Sequence, residues 1–313
     1  MSDTTAIRAA ALWGITPDQI TLAARRENTV YRATTPAGRF ALRLHRPGYR
    51  TEAELTSELQ WMAMLNSGGM TVPRPIPSQS GTLIEMVEET PVDLLTWLPG
   101  HPAGTAGTLD GIPDRAGFCR QLGQTFAMLH DLSDAWQPPA GFSRPHWNRA
   151  GLLGATPLWG RFWDNPDLTQ SQRTTLLAVR DRAEACLAAL ESDLDYGLIH
   201  ADALSENILV EAGTLSLIDF DDGGYGFRDF DLATFLLRFL DAPDYPALRD
   251  ALLEGYATRR HVDPEQLELF ILLRALTYPG WIIPRLAEPG GADRCTRAIR
   301  TALPLAEAFL RTP

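Results

Sequence analysis

The chain has 313 residues, 45% of them hydrophobic and 21% charged, with a formal net charge of −11. That length suits about two domains or lobes around a substantial core, and the acidic balance argues against a broad basic surface for nucleic acid or an anionic membrane. All 28 basic side chains are arginine, which excludes chemistry built on a lysine Schiff base or a P-loop lysine.

In chain order, Thr16-Pro17-Asp18-Gln19 predicts a helix start, with Thr16 as N-cap, proline at the first helical position and Gln19 closing a capping box. Thr29 to Thr34 and Arg39 to Leu44 have strand character, and Thr35-Pro36-Ala37-Gly38 supplies the turn of a hairpin. Glu52 to Leu65 is helical, with Leu55, Leu59, Met62 and Leu65 on one face; Pro73, Pro75 and Pro77 stop it. Thr82 to Val87 and Val92 to Trp97 read as a second strand pair. Leu98-Pro99-Gly100-His101-Pro102 breaks the pattern and opens a Gly/Pro/Thr-rich connection to Gly111. Beyond it the chain turns mostly helical. Phe118, Leu122, Phe126 and Leu129 form an apolar stripe, and helices are expected at Arg173 to Leu190, Phe230 to Leu240 and Asp263 to Tyr278. Pro138 to Pro166 is irregular and rich in tryptophan.

Cys119, Cys186 and Cys295 lie far apart with no CxxC, which points to buried thiols in a reducing compartment. Met1 to Trp13 lacks a basic segment followed by an apolar run, so no secretory signal is expected. No apolar run approaches the roughly 18 residues of a membrane span. A cytoplasmic protein that binds neither membrane nor nucleic acid is expected.

The most informative stretch is Leu198 to Asp222. A polar loop, His200-Ala201-Asp202-Ala203-Leu204-Ser205-Glu206-Asn207, runs into the apolar Ile208-Leu209-Val210. Glu211-Ala212-Gly213-Thr214 is a turn, and Leu217-Ile218 leads to Asp219-Phe220-Asp221-Asp222. The two apolar runs therefore pair as a hairpin. That brings Asn207, before the first strand, close to Asp219, after the second. An amide oxygen and a carboxylate suit Mg²⁺, which takes hard oxygen ligands and leaves positions for phosphates. Asp202, in the same loop as Asn207, is placed to take a proton from an attacking hydroxyl.

His-x-Asp-x-x-x-x-Asn followed by hydrophobic-Asp-Phe resembles the aminoglycoside phosphotransferase and choline kinase-like family, relatives of the protein kinases. The resemblance extends to Glu27-Asn28-Thr29-Val30-Tyr31-Arg32, Ala41-Leu42-Arg43-Leu44, Trp97-Leu98-Pro99-Gly100 and Gly223 to Leu232. It implies an α+β, two-lobed protein kinase-like fold. The N-terminal β-sheet lobe, residues 1–97, would bind nucleotide; the mostly helical C-terminal lobe, 98–313, would carry the catalytic loop and the acceptor pocket. The implied reaction transfers the γ-phosphoryl group of ATP, with Mg²⁺, to a small-molecule hydroxyl on an amino alcohol, a homoserine-like compound or an aminoglycoside. Asp202 would be the base and Asn207 and Asp219 the metal ligands, with His200 organising the loop and Asp231 bracing it. Asn28 and Thr29 would lie in the phosphate-covering loop, and Thr96, Trp97 and Leu98 in the adenine hinge.

Two features depart from the common pattern. Arg43 stands where kinase-like folds usually carry a phosphate-binding lysine; it keeps the charge and adds a bidentate fork. Its partner is expected to be Glu58, with Glu54 the competitor one turn earlier. The catalytic loop keeps the small residue, the base and the ligand, but its middle differs from His-Gly-Asp-Leu-His-Pro-Gly-Asn. Trp147, Trp159, Trp163, Tyr278 and Trp281 fall where the family builds its acceptor pocket, and serve either as core packing or as a cage for an ammonium group. Arg25 and Arg26 are either phosphate contacts or surface charges. Gly223-Gly224-Tyr225-Gly226 is expected to make the bend after the aspartates. Two rival readings are a bacterial stress-type Ser/Thr protein kinase and a nucleotide-binding pseudokinase.

Overall fold

A computed structural model describes residues 3–25, 28–105 and 107–311. The chain forms two compact units, each assembled from separate stretches. One comprises Met1–Ala103, Asp131–Arg144 and Glu206–Asp221; the other comprises Gly104–His130, Pro145–Ser205 and Asp222–Pro313. The first unit thus runs past residue 97 and takes in the hairpin after the His200–Asn207 loop.

The first unit is built on an antiparallel sheet of order β1-β2-β3-β5-β4, with β1 at Ile20–Arg25, β2 at Thr29–Thr35, β3 at Gly38–Leu44, β4 at Glu85–Val87 and β5 at Thr90–Thr96. Helix α1 (Asp3–Ala11) lays the buried Ala6, Ala9 and Ala10 against Tyr31, Leu42, Leu44, Val92 and Leu94. Its buried face is almost entirely alanine, so it carries little hydrophobic periodicity, which explains why the sequence does not announce it. The expected helix at Thr16 is a correction. The capping box forms, but it caps a single 3₁₀ turn, Pro17–Gln19, and the chain then enters β1. Ile20 to Arg25 takes its backbone hydrogen bonds from β2, from Ile20 opposite Ala33 to Arg25 opposite Thr29. Ladder pairing overrides a local start signal of this kind.

Helix α2 (Glu52–Ser67) starts on a Thr51–Glu54 capping box and buries Leu55, Leu59, Met62 and Leu65 as one stripe. Trp61 is also fully buried; its indole donates to Ser133 Oγ at 2.9 Å and meets Phe220 edge-on, with centroids 5.2 Å apart. A smaller sheet joins β6 (His101–Pro102), β9 (Ile208–Glu211) and β10 (Thr214–Leu217) in the order β10-β9-β6.

The second unit is mainly helical. Helices α5 (Gln170–Leu190), α8 (Pro264–Trp281) and α9 (Gly291–Arg311) pack together, with α6 (Asp229–Leu236) against α8. In α9 the buried Cys295, Ile299, Ala302 and Ala306 recur at helical spacing. Helices α3 (Arg115–Ala135), which ends in the first unit, α4 (Arg149–Leu153) and α7 (Tyr245–Ala257) complete the set. A three-stranded sheet, β7 (His146–Trp147), β11 (Gly224–Phe227) and β8 (Tyr196–Ile199), has β11 in the middle. The glycines expected to make a bend lie largely in this strand. A Cβ on Gly224 would sit 2.2 Å from Pro145 O, and one on Gly226 would sit 2.3 Å from Ile199 Cδ1. Their role is close approach between strands. Cys119 and Cys295 are buried free thiols and Cys186 is half-buried; burial pushes the Cys119 thiol up to about 12. No described helix is long and apolar enough to cross a membrane.

Candidate active site

In the first unit, β9 and β10 pair from Glu211 opposite Thr214 to Ile208 opposite Leu217, and the Ile218 amide donates to Asn207 O at 3.0 Å. Asn207 and Asp219 therefore flank the open end of one hairpin. Asn207 is buried, whereas Asp219 is exposed and adopts φ 66°. A left-handed aspartate costs roughly 1 kcal/mol and persists only where its surroundings impose it. Here Phe220 is fully buried against Trp61, and Arg144 Nη2 donates to the carbonyls of Phe220 (2.9 Å) and Asp221 (2.7 Å). Arg50 Nη2 adds a third bond, to Asp221 O at 3.0 Å. With the following residues pinned, Asp219 keeps this backbone state at an exposed position. Its carboxylate oxygens and the Asn207 amide oxygen are the hard donors that a divalent cation with phosphate ligands requires.

Arg43 lies on β3 directly opposite Asp93 on β5. Its Nε donates to Asp93 Oδ1 at 2.9 Å and its Nη2 to Asp93 Oδ2 at 2.8 Å, while Nη1 donates to Glu58 Oε1 at 2.7 Å. Glu54 is engaged elsewhere, accepting from the Thr51 amide at 2.8 Å. His45 Nε2 meets Asp93 Oδ2 at 2.7 Å, and Arg144 Nη1 stands 3.7 Å from Glu58 Oε2. Burial opposes charge on Asp93, yet Arg43 and His45 hold its carboxyl far below the usual range. Burial likewise opposes charge on Glu58, and Arg43 and Arg144 hold it down. Asp93 has no counterpart in the sequence reading. Its signal was a lone carboxylate inside the apolar run Val92-Asp93-Leu94-Leu95, because a buried charge demands a partner.

The other residues expected on the nucleotide side are spread around this unit. Asn28 precedes β2 and Thr29 opens it, opposite Leu44. Arg26 and Glu27 lie outside the described residues. The Thr96 amide donates to Arg74 O at 2.9 Å, its hydroxyl accepts from the Arg74 amide at 2.8 Å, and the Trp97 amide donates to Arg39 O at 3.0 Å. Leu98 follows, half-buried.

In the second unit the loop carrying Asp202 hangs from Asp231 on α6. The His200 amide donates to Asp231 Oδ2 at 2.9 Å and the Ala201 amide to Asp231 Oδ1 at 2.7 Å. Ala201 has φ 64°, the backbone state that glycine adopts without strain. His200 is fully buried, and its Nδ1 accepts from the Asp202 amide at 3.3 Å. His130 Nε2 reaches Asp231 at 3.1 Å and its Nδ1 reaches the Tyr256 hydroxyl at 2.9 Å. Burial, with Arg228 nearby, pushes His130 down to about 4, so it is neutral and donates from Nε2. Burial opposes charge on Asp231, but the His130 hydrogen bond and the His200 amide hold its carboxyl below the usual range.

Arg274, on α8, is the second residue that the sequence reading lacks. Its side chain is fully buried, and Nη2 donates to Asp202 Oδ1 at 2.7 Å and to the Tyr278 hydroxyl at 3.0 Å. The guanidinium carbon lies 4.4 Å from the Trp159 ring centroid, 4.8 Å from Tyr278 and 5.4 Å from Phe230. Arg238 stands over Tyr278, Arg285 over Trp281 and Arg180 over Trp163. Trp147 is buried and stacks on Phe230. These aromatics therefore already hold the protein's own guanidinium groups or pack in the core. As with Asp93, the signal was a lone charge in an apolar helix, Leu272-Leu273-Arg274-Ala275-Leu276.

A family model described as the phosphotransferase enzyme family matches residues 18–270. A homoserine kinase of Sinorhizobium medicae is 28% identical over 79% of this chain and 72% of its own. Among solved structures, a microcompartment-associated aminopropanol kinase superposes with a TM-score of 0.86 and 29% identity, over 99% of this chain and 98% of its own. An amicoumacin kinase, in complex with AMP-PNP, Ca²⁺ and Ami, superposes with a TM-score of 0.80 and 21% identity, over 100% and 94%. The expected protein kinase-like α+β fold is thus met. Taken with the match over 18–270, these likenesses show that the chain belongs to the phosphotransferase enzyme family, whose chemistry here is transfer of a phosphoryl group to a small-molecule hydroxyl.

Proposed function

We propose that this enzyme phosphorylates a small amino alcohol from ATP and Mg²⁺, with Asp202 as the base. The observation that carries the assignment is the β9–β10 hairpin, whose register sets Asn207 and Asp219 at one end, with Asn207 five positions after Asp202 in the chain. Relatives named for aminopropanol and homoserine supply the acceptor class, since both are small hydroxyl compounds bearing an amine. The hydroxyl would lose its proton to Asp202 as its oxygen bonds the γ-phosphorus, and the bond from that phosphorus to the bridging oxygen breaks to release ADP. Asn207 and Asp219 would hold Mg²⁺, which when bound offsets phosphate charge. Arg43, anchored by Glu58 and Asp93, would present its remaining N–H groups to the phosphates. Asn28 and Thr29 would cover them, and the Thr96 to Leu98 backbone would receive adenine.

The test is turnover of Mg·ATP with 1-amino-2-propanol, homoserine, choline and an aminoglycoside, followed by ³¹P NMR. The expected result is a new phosphomonoester with one of the two short amino alcohols. ADP formation without any phosphorylated acceptor, or no nucleotide turnover with any of the four, contradicts the reading.

A further inference from the structure

We propose that Arg274 is a positioning residue that fixes the carboxylate of Asp202, an inference that rests on Asp202 being the base. A fully buried guanidinium is expensive to desolvate, and ordinarily it is repaid by carboxylates on several edges. Arg274 is ion-paired with the carboxylate of Asp202, and the charge of Asp222 also favours its cation. Its Nε and Nη1 are buried without a hydrogen-bond partner. What stabilises the cation instead is the set of ring faces from Trp159, Tyr278 and Phe230. This is a poor design for stability alone, because an apolar side chain of similar volume would fill the same slot without the desolvation cost.

The geometry suits a different purpose. The rings fix the plane of the guanidinium, and the Tyr278 hydroxyl, bonded to Nη2 at 3.0 Å, fixes its rotation within that plane. The other Nη2 hydrogen then points along one line, to Asp202 Oδ1 at 2.7 Å. The backbone of Asp202 is held separately. Its amide donates to His200 Nδ1 at 3.3 Å and its carbonyl accepts from the Leu204 amide at 2.8 Å. These bonds tether Asp202 at both its backbone and its carboxylate. Swinging it away would cost the buried Arg274 its hydrogen-bonded carboxylate, which favours the observed orientation. A lysine would lack the planar stack, and its freely rotating ammonium would not hold one hydrogen on one line.

The test is a kinetic double-mutant cycle on the full-length enzyme with its accepted alcohol. Arg274→Met should lower kcat by about 10²-fold, the usual penalty of a misplaced reacting group, with little change in KM for ATP. Tyr278→Phe keeps the cation but loses its rotational anchor, and should lower kcat by a smaller factor. In an Asp202→Asn background neither change should lower kcat further, because both act through that carboxylate. A merely structural residue would lower kcat by the same factor in either background. Additive losses, or an Arg274→Met enzyme with wild-type kcat beside a crippled Asp202→Asn, overturn the positioning role alone. Should Arg274→Met fail to fold, the Tyr278→Phe cycle decides on the same criterion. Wild-type kcat in Asp202→Asn itself would instead overturn the base assignment on which the inference rests.

Discussion

Two buried arginines sit in the two units and are solved in opposite ways. Arg43 is surrounded by charge. Asp93 takes its fork, Glu58 takes Nη1, and His45 and Arg144 complete a knot that ties β3, β5 and α2 together. Arg274 is surrounded by rings and touches the carboxylate of Asp202, which is itself about one-fifth exposed. The first arrangement makes each charge depend on the others. The second leaves one charge aimed at one residue. The same side chain is therefore locked into a network of charges in one unit and aimed at the Asp202 carboxylate in the other, and the partners decide which.

The sharpest way to break this comparison is to remove each guanidinium and measure stability. Arg43→Met leaves Glu58 and Asp93 buried without their main partner, and loss of one member of a buried ion pair typically costs about 3–5 kcal/mol. Urea unfolding should show a loss of that size. Arg274→Met leaves Asp202 and Asp222, both partly exposed, and should be neutral to stabilising in the same experiment. Equal losses at the two sites would erase the distinction.

Acid should separate the two units next. His130 is held neutral in the fold, at about 4, against an ordinary value of 6.5. The unfolded chain therefore binds its proton first, and stability drains away as pH falls from 6.5 toward 4. The carboxyls of Asp93 and Glu58 are held below their ordinary values, so their contribution is intact above the usual carboxylate range and is lost only below it. Hydrogen exchange followed by segment should show the Asp231 region loosening at a higher pH than the Arg43 knot. His130→Gln should flatten the loss between pH 6 and 5, as read by thermal unfolding.

Asp229 gives a smaller effect of opposite sign. Burial, with Asp195 and Asp263 nearby, raises its carboxyl to about 7. A raised value means that the fold favours the protonated form, so stability is full below the ordinary range and is lost as pH rises through 7. Asp229→Asn should raise Tm at pH 8 and much less at pH 5. An equal shift at both would show that the group does not titrate there. The smallest effect is expected at Ala201, whose φ of 64° glycine accepts freely. Ala201→Gly should stabilise by at most about 1 kcal/mol in urea unfolding.

The parts of this molecule that were legible in sequence are those whose signal is local. The hairpin between Asn207 and Asp219 follows from two apolar runs and a turn. The α2 stripe follows from helical spacing, and Glu58 pairs with Arg43 because it faces the sheet from that helix. What escaped depends on neighbours distant in the chain. The capping box at Thr16 is locally sound, but β2 claims the following residues as a strand. Asp93 and Arg274 were visible as charges inside apolar runs, but their partners lie 50 and 72 positions away. For the tryptophans of the C-terminal half the sequence left packing and an ammonium cage both open; in the fold Arg180, Arg274 and Arg285 lie over Trp163, Trp159 and Trp281.

The central claim is that Asp202 acts on the reacting hydroxyl while Asp219 serves the nucleotide–metal complex. Single-turnover phosphoryl transfer in a quench-flow instrument, with Mg·ATP affinity measured alongside by calorimetry, tests it most directly. Asp202→Asn should slow transfer by about 10²–10⁴-fold, the range of general-base catalysis, with nucleotide affinity nearly unchanged, whereas Asp219→Asn should sharply weaken Mg·ATP binding. A wild-type transfer rate in Asp202→Asn, or unchanged Mg·ATP affinity in Asp219→Asn, would contradict the account.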